Sequence, residues 1–253
     1  MTSCSVFKSL TIDTTAAKSP NDLLIEMLQQ KPVPHRVRSI FYEGGLVPAK
    51  VRSPKEDVAA FYWENVSCND DDGMRIWKET LGQNINDNWI QERKPRISAS
   101  TTRLIGFART KETLLNHFFR GFFDNDYMRY GRETEPEAIQ KYSTKYGKVV
   151  HESGLVISRY LPWLCASPDG LIVNGNQEEL VVLEIKCPVS GNSGTIDFES
   201  LDFIKEGKVK KAHKYFAQIQ IQLFCCDAKM GHFFIYGKEN DMMIELPRDD
   251  KFC

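Results

Sequence analysis

The chain has no run of about 18 apolar residues, so no transmembrane helix is expected. It has no CxxC spacing, which argues against a structural zinc site. Its opening residues, "MTSCSVFKSL", lack the apolar core of a secretion signal. It also lacks a charge excess. With 33 Lys+Arg against 34 Asp+Glu the formal net charge is −1, so no global field advertises a polyanionic partner. A nucleic-acid site would have to come from local clustering of charge. No repeat and no low-complexity tract interrupts the chain.

What is there is ordinary globular material. The 253 residues are 42% hydrophobic and 26% charged, enough for one large domain or a domain with an appendage. Seven cysteines (Cys4, Cys68, Cys165, Cys187, Cys225, Cys226 and Cys253) are scattered, several inside apolar stretches. They read as reduced, mostly buried thiols of an intracellular protein, nuclear or cytoplasmic, with no membrane partner.

Residues 1–85 read as an N-terminal extension that packs on the remainder of the chain. "SPNDLLIEMLQQ" has the look of a short helix capped by Ser19 or Asn21. "KPVPHRVRSIFYEGGLVP" argues for loops, and "NDDDG" at 69–73 for an exposed turn. From residue 86 to 253 the pattern tightens into a second unit. Short helices are expected up to Pro95 and over 111–123. A helix over 134–147 would open on a Thr134/Glu137 capping box, with Pro136 in its first turn. If it began near Asp126 instead, Pro136 would kink it.

"SGLVISRY", "WLCAS", "GLIVN" and "ELVVLEIKC" read as strands, with a hairpin turn at "NGN". "AHKYFAQIQIQLFCC" at 212–226 returns to helical spacing, and "GHFFIYG" and "MMIELP" read as final strands. The order predicts an α/β (α+β) domain, a mixed central sheet flanked by helices.

Two acids and a lysine stand out. In "LEIKC", Leu183, Ile185 and Cys187 share one strand face, and Glu184 and Lys186 share the other. A carboxylate and an ammonium on an otherwise apolar strand need partners or a task. Asp169 sits at the Pro168–Gly170 bend, where a hairpin would bring it close to Glu184. Two such carboxylates suit a hard divalent cation, Mg²⁺ or Mn²⁺. A lysine beside it can position water and offset charge in a phosphoryl transition state. Pro168-Asp169 followed by Glu184-Ile185-Lys186 is the PD-(D/E)xK pattern of metal-dependent nucleases. The bland alternative is a turn aspartate and a surface Glu–Lys pair.

Further residues go beyond that pattern. "CASPDG" at 165–170, "EIKCP" at 184–188 and "YFAQIQ" at 215–220 stand in this order. Upstream lie Gly131, Glu135 and Ala138, and before them Trp89, Arg93 and Ser100. Over residues 86–240 the chain thus resembles the lambda exonuclease family, the YqaJ-like viral recombinases. The resemblance implies a restriction-endonuclease-like PD-(D/E)xK core and metal-dependent 5′→3′ digestion of double-stranded DNA in viral-type or mobile-element recombination. It implies Glu135, Asp169, Glu184 and the carbonyl of Ile185 as metal ligands and Lys186 as the residue positioning the attacking water. Gln218 would reach into the same site, with a satisfied core amide as its plainer reading. Arg93, Ser100 and Ser167 would form a pocket for a terminal 5′-phosphate. Arg93 could instead cap a helix C-terminus.

Glu135 is favoured over Glu133 and Glu137 by the Gly131 and Ala138 matches. Gln222, one turn beyond Gln218, would support it. The partners implied are DNA, a single-strand annealing protein and further copies of the chain, since the family's phage member is a ring-shaped trimer. Little after "MMIELP" matches that member's C-terminal helices. Residues 205–214, "KEGKVKKAHK", carry five lysines against one glutamate, a local +4 that is either a solvated face or a grip on the DNA backbone. Two other functions share the fold: a DNA-binding module that does not cut, and a structure-specific endonuclease.

Overall fold

The structure, a computed structural model, describes residues 56–103, 110, 125–174 and 179–252. The helices expected over 19–30 and 111–123, the loops of 31–48 and the turn after Asn174 lie outside these residues. The described helices and strands are, in order, α1 (Glu56–Asn65), α2 (Asp70–Glu79), α3 (Asp87–Arg93), β1 (Ile97–Ser98), α4 (Asp126–Tyr146), β2 (Val156–Ile157), β3 (Leu164–Ala166), β4 (Gly170–Asn174), β5 (Glu179–Lys186), β6 (Ile204–Lys205), β7 (Lys208–Val209), α5 (Lys214–Cys225), β8 (Met230–Tyr236) and β9 (Asp241–Pro247).

The main sheet runs β4-β5-β8-β9. Its outer pairs are antiparallel and β5 lies parallel to β8, so the sheet is mixed as expected. A parallel pair needs a crossover, and α5 lies within the one that joins β5 to β8. One face of the sheet packs on α4, where Ala138 and Tyr142 meet Val181, Leu183, Ile185 and Phe234. The other packs on α5, where Phe216 and Ile219 meet Phe233 and Ile235. β5 is buried on both sides for most of its length, which explains its near-continuous apolar run. A smaller sheet, β1-β3-β2, stands beside it. Trp77 of α2 packs into the same core as Ala99, Val156 and Leu223.

Two local expectations are corrected. "NDDDG" is a helix start rather than a turn. Asn69 caps α2 and exchanges hydrogen bonds with Asp72, and Asp70, Asp71 and Asp72 suit the positive end of the helix dipole. The helix expected to open at Thr134 opens instead at Asp126. Asn125 caps it by accepting from the Met128 N–H at 2.8 Å, and Thr134 is buried within it. Pro136 sits inside the helix and removes one backbone donor.

The deep burial of Ala138 and Tyr142, further along the same helix, offsets that loss. Tyr142 is also hydrogen-bonded to Nδ1 of His232 on β8. Lys141 donates to the Gly237 carbonyl at 2.8 Å, and Lys145 to Asp241 at 2.5 Å. These contacts hold α4 on the sheet. The helix ends at Gly147, whose φ of +61° is the left-handed conformation glycine adopts at little cost.

The described cysteines, Cys68, Cys165, Cys187, Cys225 and Cys226, are free thiols. Among the described residues no helix is long and apolar enough to cross a membrane.

Candidate active site

The register of β4 on β5 pairs Gly170 with Leu183, which sets Asp169 opposite Glu184. Gly170 is needed there, because a Cβ would come within 2.4 Å of Val150. Asp169 Oδ2 accepts the Ile185 N–H at 2.6 Å, so the bend is tied directly to the strand. Glu184 and Lys186 share the α5 face, as the alternation requires.

Glu184 is 1% exposed and its carboxylate is filled with donors. Oε1 accepts from Lys186 Nζ and from Gln218 Nε2, the latter at 2.6 Å. Oε2 accepts from Gln222 Nε2 at 2.5 Å. Lys186 Nζ also donates to the Ile185 carbonyl at 3.0 Å and lies 4.9 Å from the centre of the Tyr215 ring.

Glu135 joins this group from α4 through charge. Burial raises its pKa, the nearby Glu184 raises it further, and Lys186 opposes both. Glu133 and Glu137, its rivals on the same helix, are exposed. Burial also holds Asp169 well above the carboxylate range, again with Glu184 adding and Lys186 opposing. Burial alone would lower the Lys186 ammonium, but Glu184 and Asp169 reverse that and raise it. The cluster therefore holds three carboxylates against one ammonium, with Glu184 buried and Glu135, Asp169 and Lys186 half-buried.

Such a surplus of negative charge is what a divalent cation relieves. The donor set fits a hard ion: carboxylate oxygens and the Ile185 carbonyl, with no thiolate or imidazole among them. Among the described residues no three His, Cys, Asp or Glu side chains already converge as a ligand set. The oxygens of Glu184 are instead engaged by Lys186, Gln218 and Gln222.

A second group lies at the end of α3. Arg93 Nη2 donates to Ser98 Oγ at 2.8 Å and to Ser100 Oγ at 2.6 Å. Its guanidinium stacks 4.5 Å from the Trp89 ring centre. The Trp89 indole N–H in turn donates to Ser167 Oγ at 2.7 Å. Arg93, Ser100 and Ser167 are thus linked, the last through Trp89.

Burial lowers the Arg93 pKa, and among the described residues no carboxylate pairs with it. Among the described residues this half-buried guanidinium has no counter-ion and is ringed by hydroxyls, an arrangement whose chemistry suits an anion. Arg93 also stands in the last turn of α3, where a cation suits the helix dipole. Arg96, not Arg93, donates to the Glu92 carbonyl at 2.5 Å and pairs with its carboxylate at 2.9 Å.

Gln222 stands between the two groups. Besides Glu184, its Nε2 reaches the Ser167 carbonyl at 3.4 Å. Its own Oε1 is buried without a partner. Ser98 was missed from the sequence. It ends β1, and Ser100 lies in the turn that follows, so no strand spacing in the sequence singles it out.

The chain is similar to known proteins in sequence and in fold. The sequence model of the YqaJ-like viral recombinase domain matches residues 72–229. An alkaline nuclease of Autographa californica nuclear polyhedrosis virus is 25% identical over 209 residues, covering 71% of this chain and 48% of that protein. The chain spans about half the length of the viral alkaline nucleases it matches. The alkaline exonuclease LHK-Exo from Laribacter hongkongensis aligns with a TM-score of 0.50 at 26% identity, covering 66% of this chain and 84% of that one. The same enzyme in complex with dAMP aligns with a TM-score of 0.53 at 24% identity, covering 66% and 85%.

Proposed function

The chain belongs to the family of YqaJ-like viral recombinase domains, and from that membership we propose that it is a metal-dependent deoxyribonuclease, a 5′→3′ exonuclease on double-stranded DNA acting in recombination. The observation that carries this reading is the surplus of carboxylates, buried Glu184 with half-buried Asp169 and Glu135, around the single ammonium of Lys186.

Glu135, Asp169, Glu184 and the Ile185 carbonyl are the groups that would hold Mg²⁺ or Mn²⁺, which would supply Lewis-acid polarisation of the scissile phosphate. The chain's own groups do the rest. Lys186 carries three N–H donors and currently uses them on Glu184 and Ile185. One of these can turn to an attacking water or to a phosphate oxygen, where a fixed cation stabilises the charge that develops. Gln218 and Gln222 hold the Glu184 carboxylate from two sides and keep its orientation when Lys186 is drawn to substrate. Arg93, Ser98, Ser100 and Ser167 would hold a terminal 5′-phosphate. Asp169 lies two residues beyond Ser167, so an end bound there sits beside the carboxylates.

The test uses end-labelled linear duplex and closed circular duplex, each with Mg²⁺ and with chelator. Loss of linear DNA only, and only with Mg²⁺, supports the exonuclease. Nicking of the circle points to the endonuclease instead. Binding without hydrolysis points to the non-cutting module.

A further inference from the structure

The lysine run 205–214 is continuous in sequence, but the fold divides it. Lys205 and Lys208 face each other across the β6–β7 hairpin, and Lys205 reaches Glu206 at 4.0 Å. Lys211 is 77% exposed and paired with Asp249 at 2.9 Å. Lys210 and Lys214 belong to a different group, gathered around His213 at the start of α5.

His213 caps α5 by accepting the Tyr215 N–H on Nδ1 at 3.2 Å. In the neutral ring Nε2 is then the donor. Burial lowers the His213 pKa and Asp202 opposes that. Lys214, Arg103 and Lys210 each lower it further, so the positive charge of all three is felt at the ring. The carboxylate of Asp202 lies 3.8 Å from Nε2 and is itself exposed. Lys210 Nζ is anchored on the Asp202 carbonyl at 2.7 Å.

Tyr215 joins this group to the carboxylate cluster. Lys186 and Lys214 both lie against its ring, at 4.9 and 5.3 Å from the centre. Cations thus continue from Lys186 to Lys214, and on to Lys210 and Arg103. Arg103 is three residues beyond Ser100, so the line turns back toward the segment that carries the Arg93 pocket. This arrangement answers an electrostatic difficulty. Three carboxylates repel an approaching phosphodiester backbone, and neighbouring cations offset that repulsion where the strand must come closest.

We infer that Arg103, Lys210 and Lys214, with the Nε2–H of His213, form a track for the phosphate backbone of the DNA strand entering the carboxylate site, and that the other lysines of the run do not. The inference rests on the nuclease reading.

Salt dependence separates the two. Each phosphate neutralised by a cation adds about 0.9 to the slope of log K against log salt. Anisotropy of a fluorescent duplex would be read across a KCl series, in chelator so that nothing is cut. The combined variant Arg103→Ala/Lys210→Ala/Lys214→Ala should lower that slope by about 2 to 3. Lys210→Ala/Lys214→Ala alone should lower it by about 2, which covers the case in which loss of Arg103 unfolds the chain. Lys205→Ala/Lys208→Ala/Lys211→Ala removes equal charge and should change it by less than about 1. A wild-type slope in the Lys210/Lys214 variant, or equal losses from both groups of lysines, would overturn the track and leave the nuclease reading standing. Failure of the unmutated protein to bind duplex DNA would overturn both.

Discussion

The side-chain amide of Gln222 donates to Glu184 Oε2 at 2.5 Å, from a position on α5 that is 1% exposed. No other hydrogen bond reaches that oxygen among the described residues, since Lys186 and Gln218 both engage Oε1. Gln222 therefore sets the plane of the carboxylate. The isosteric Gln222→Met should keep the packing and lose that control. Mn²⁺ affinity should fall by about tenfold or more, as for other groups that orient a metal ligand, and kcat should fall with KM for DNA unchanged. Calorimetry and steady-state kinetics check both. A variant with wild-type Mn²⁺ affinity would show the bond to be packing only.

Asp169→Asn and Glu184→Gln each remove an anion from a cluster that holds too many. Both should weaken Mn²⁺ binding in calorimetric titration. In chelator Asp169→Asn should melt higher than wild type, because repulsion between neighbouring carboxylates is relieved, whereas Glu184→Gln should melt lower, because its amide meets the donors of Gln218, Gln222 and Lys186 and leaves that ammonium without its partner. A chelated Asp169→Asn protein that melts well below wild type would mean that the acceptor bond from Ile185, not charge, dominates there.

Arg93→Ala removes the guanidinium of the proposed phosphate pocket, together with its bonds to Ser98 and Ser100. Digestion of 5′-phosphorylated duplex should slow by about 10²-fold, a typical loss for a fixed donor that stabilises phosphate charge, while 5′-hydroxyl ends are affected far less. Arg96 already secures the end of α3, so the melting temperature should change little. The phosphate-to-hydroxyl rate ratio is the readout, and an unchanged ratio would remove Arg93 from the pocket.

Asp70 offers a test of pH dependence away from the site. Burial, only partly offset by Arg159, raises its pKa from 3.8 to about 6, and its Oδ2 is buried without a hydrogen bond. A carboxyl that binds its proton more tightly when folded makes the fold more stable as pH falls from about 6 toward 4. Above that window the charged form carries the full penalty. Asp70→Asn should accordingly raise the melting temperature at pH 8 and change it much less at pH 4. Equal shifts at both pH values would mean that charge is not the cause.

Much of this site was legible because a strand has a period of two. Glu184 and Lys186 had to share a face, and the bend at Pro168-Asp169-Gly170 had to lie at the mouth of the hairpin. The start of α4 was misread because Thr134, Pro136 and Glu137 imitate a helix opening. What decides it is the burial of Ala138 and Tyr142 against the sheet, a tertiary fact. "NDDDG" misled for the opposite reason: its acids looked like a solvated turn, yet they serve the end of a helix. The link from Arg93 to Ser167 through Trp89 could not be read at all, since it joins residues 78 apart by a side-chain bond. The split of the lysine run likewise follows from where α5 begins, not from its composition.

The central claim is hydrolysis of DNA at the Asp169, Glu184 and Lys186 cluster, and single-turnover digestion of a 5′-phosphorylated duplex by wild type and Lys186→Ala tests it most directly. With Mg²⁺ the wild type should release nucleotides, and the variant should be slower by about 10²-fold or more while binding the duplex with similar affinity and melting close to wild type. A Lys186→Ala protein that cuts at the wild-type rate, or a wild type that leaves the duplex intact with Mg²⁺, would contradict the account.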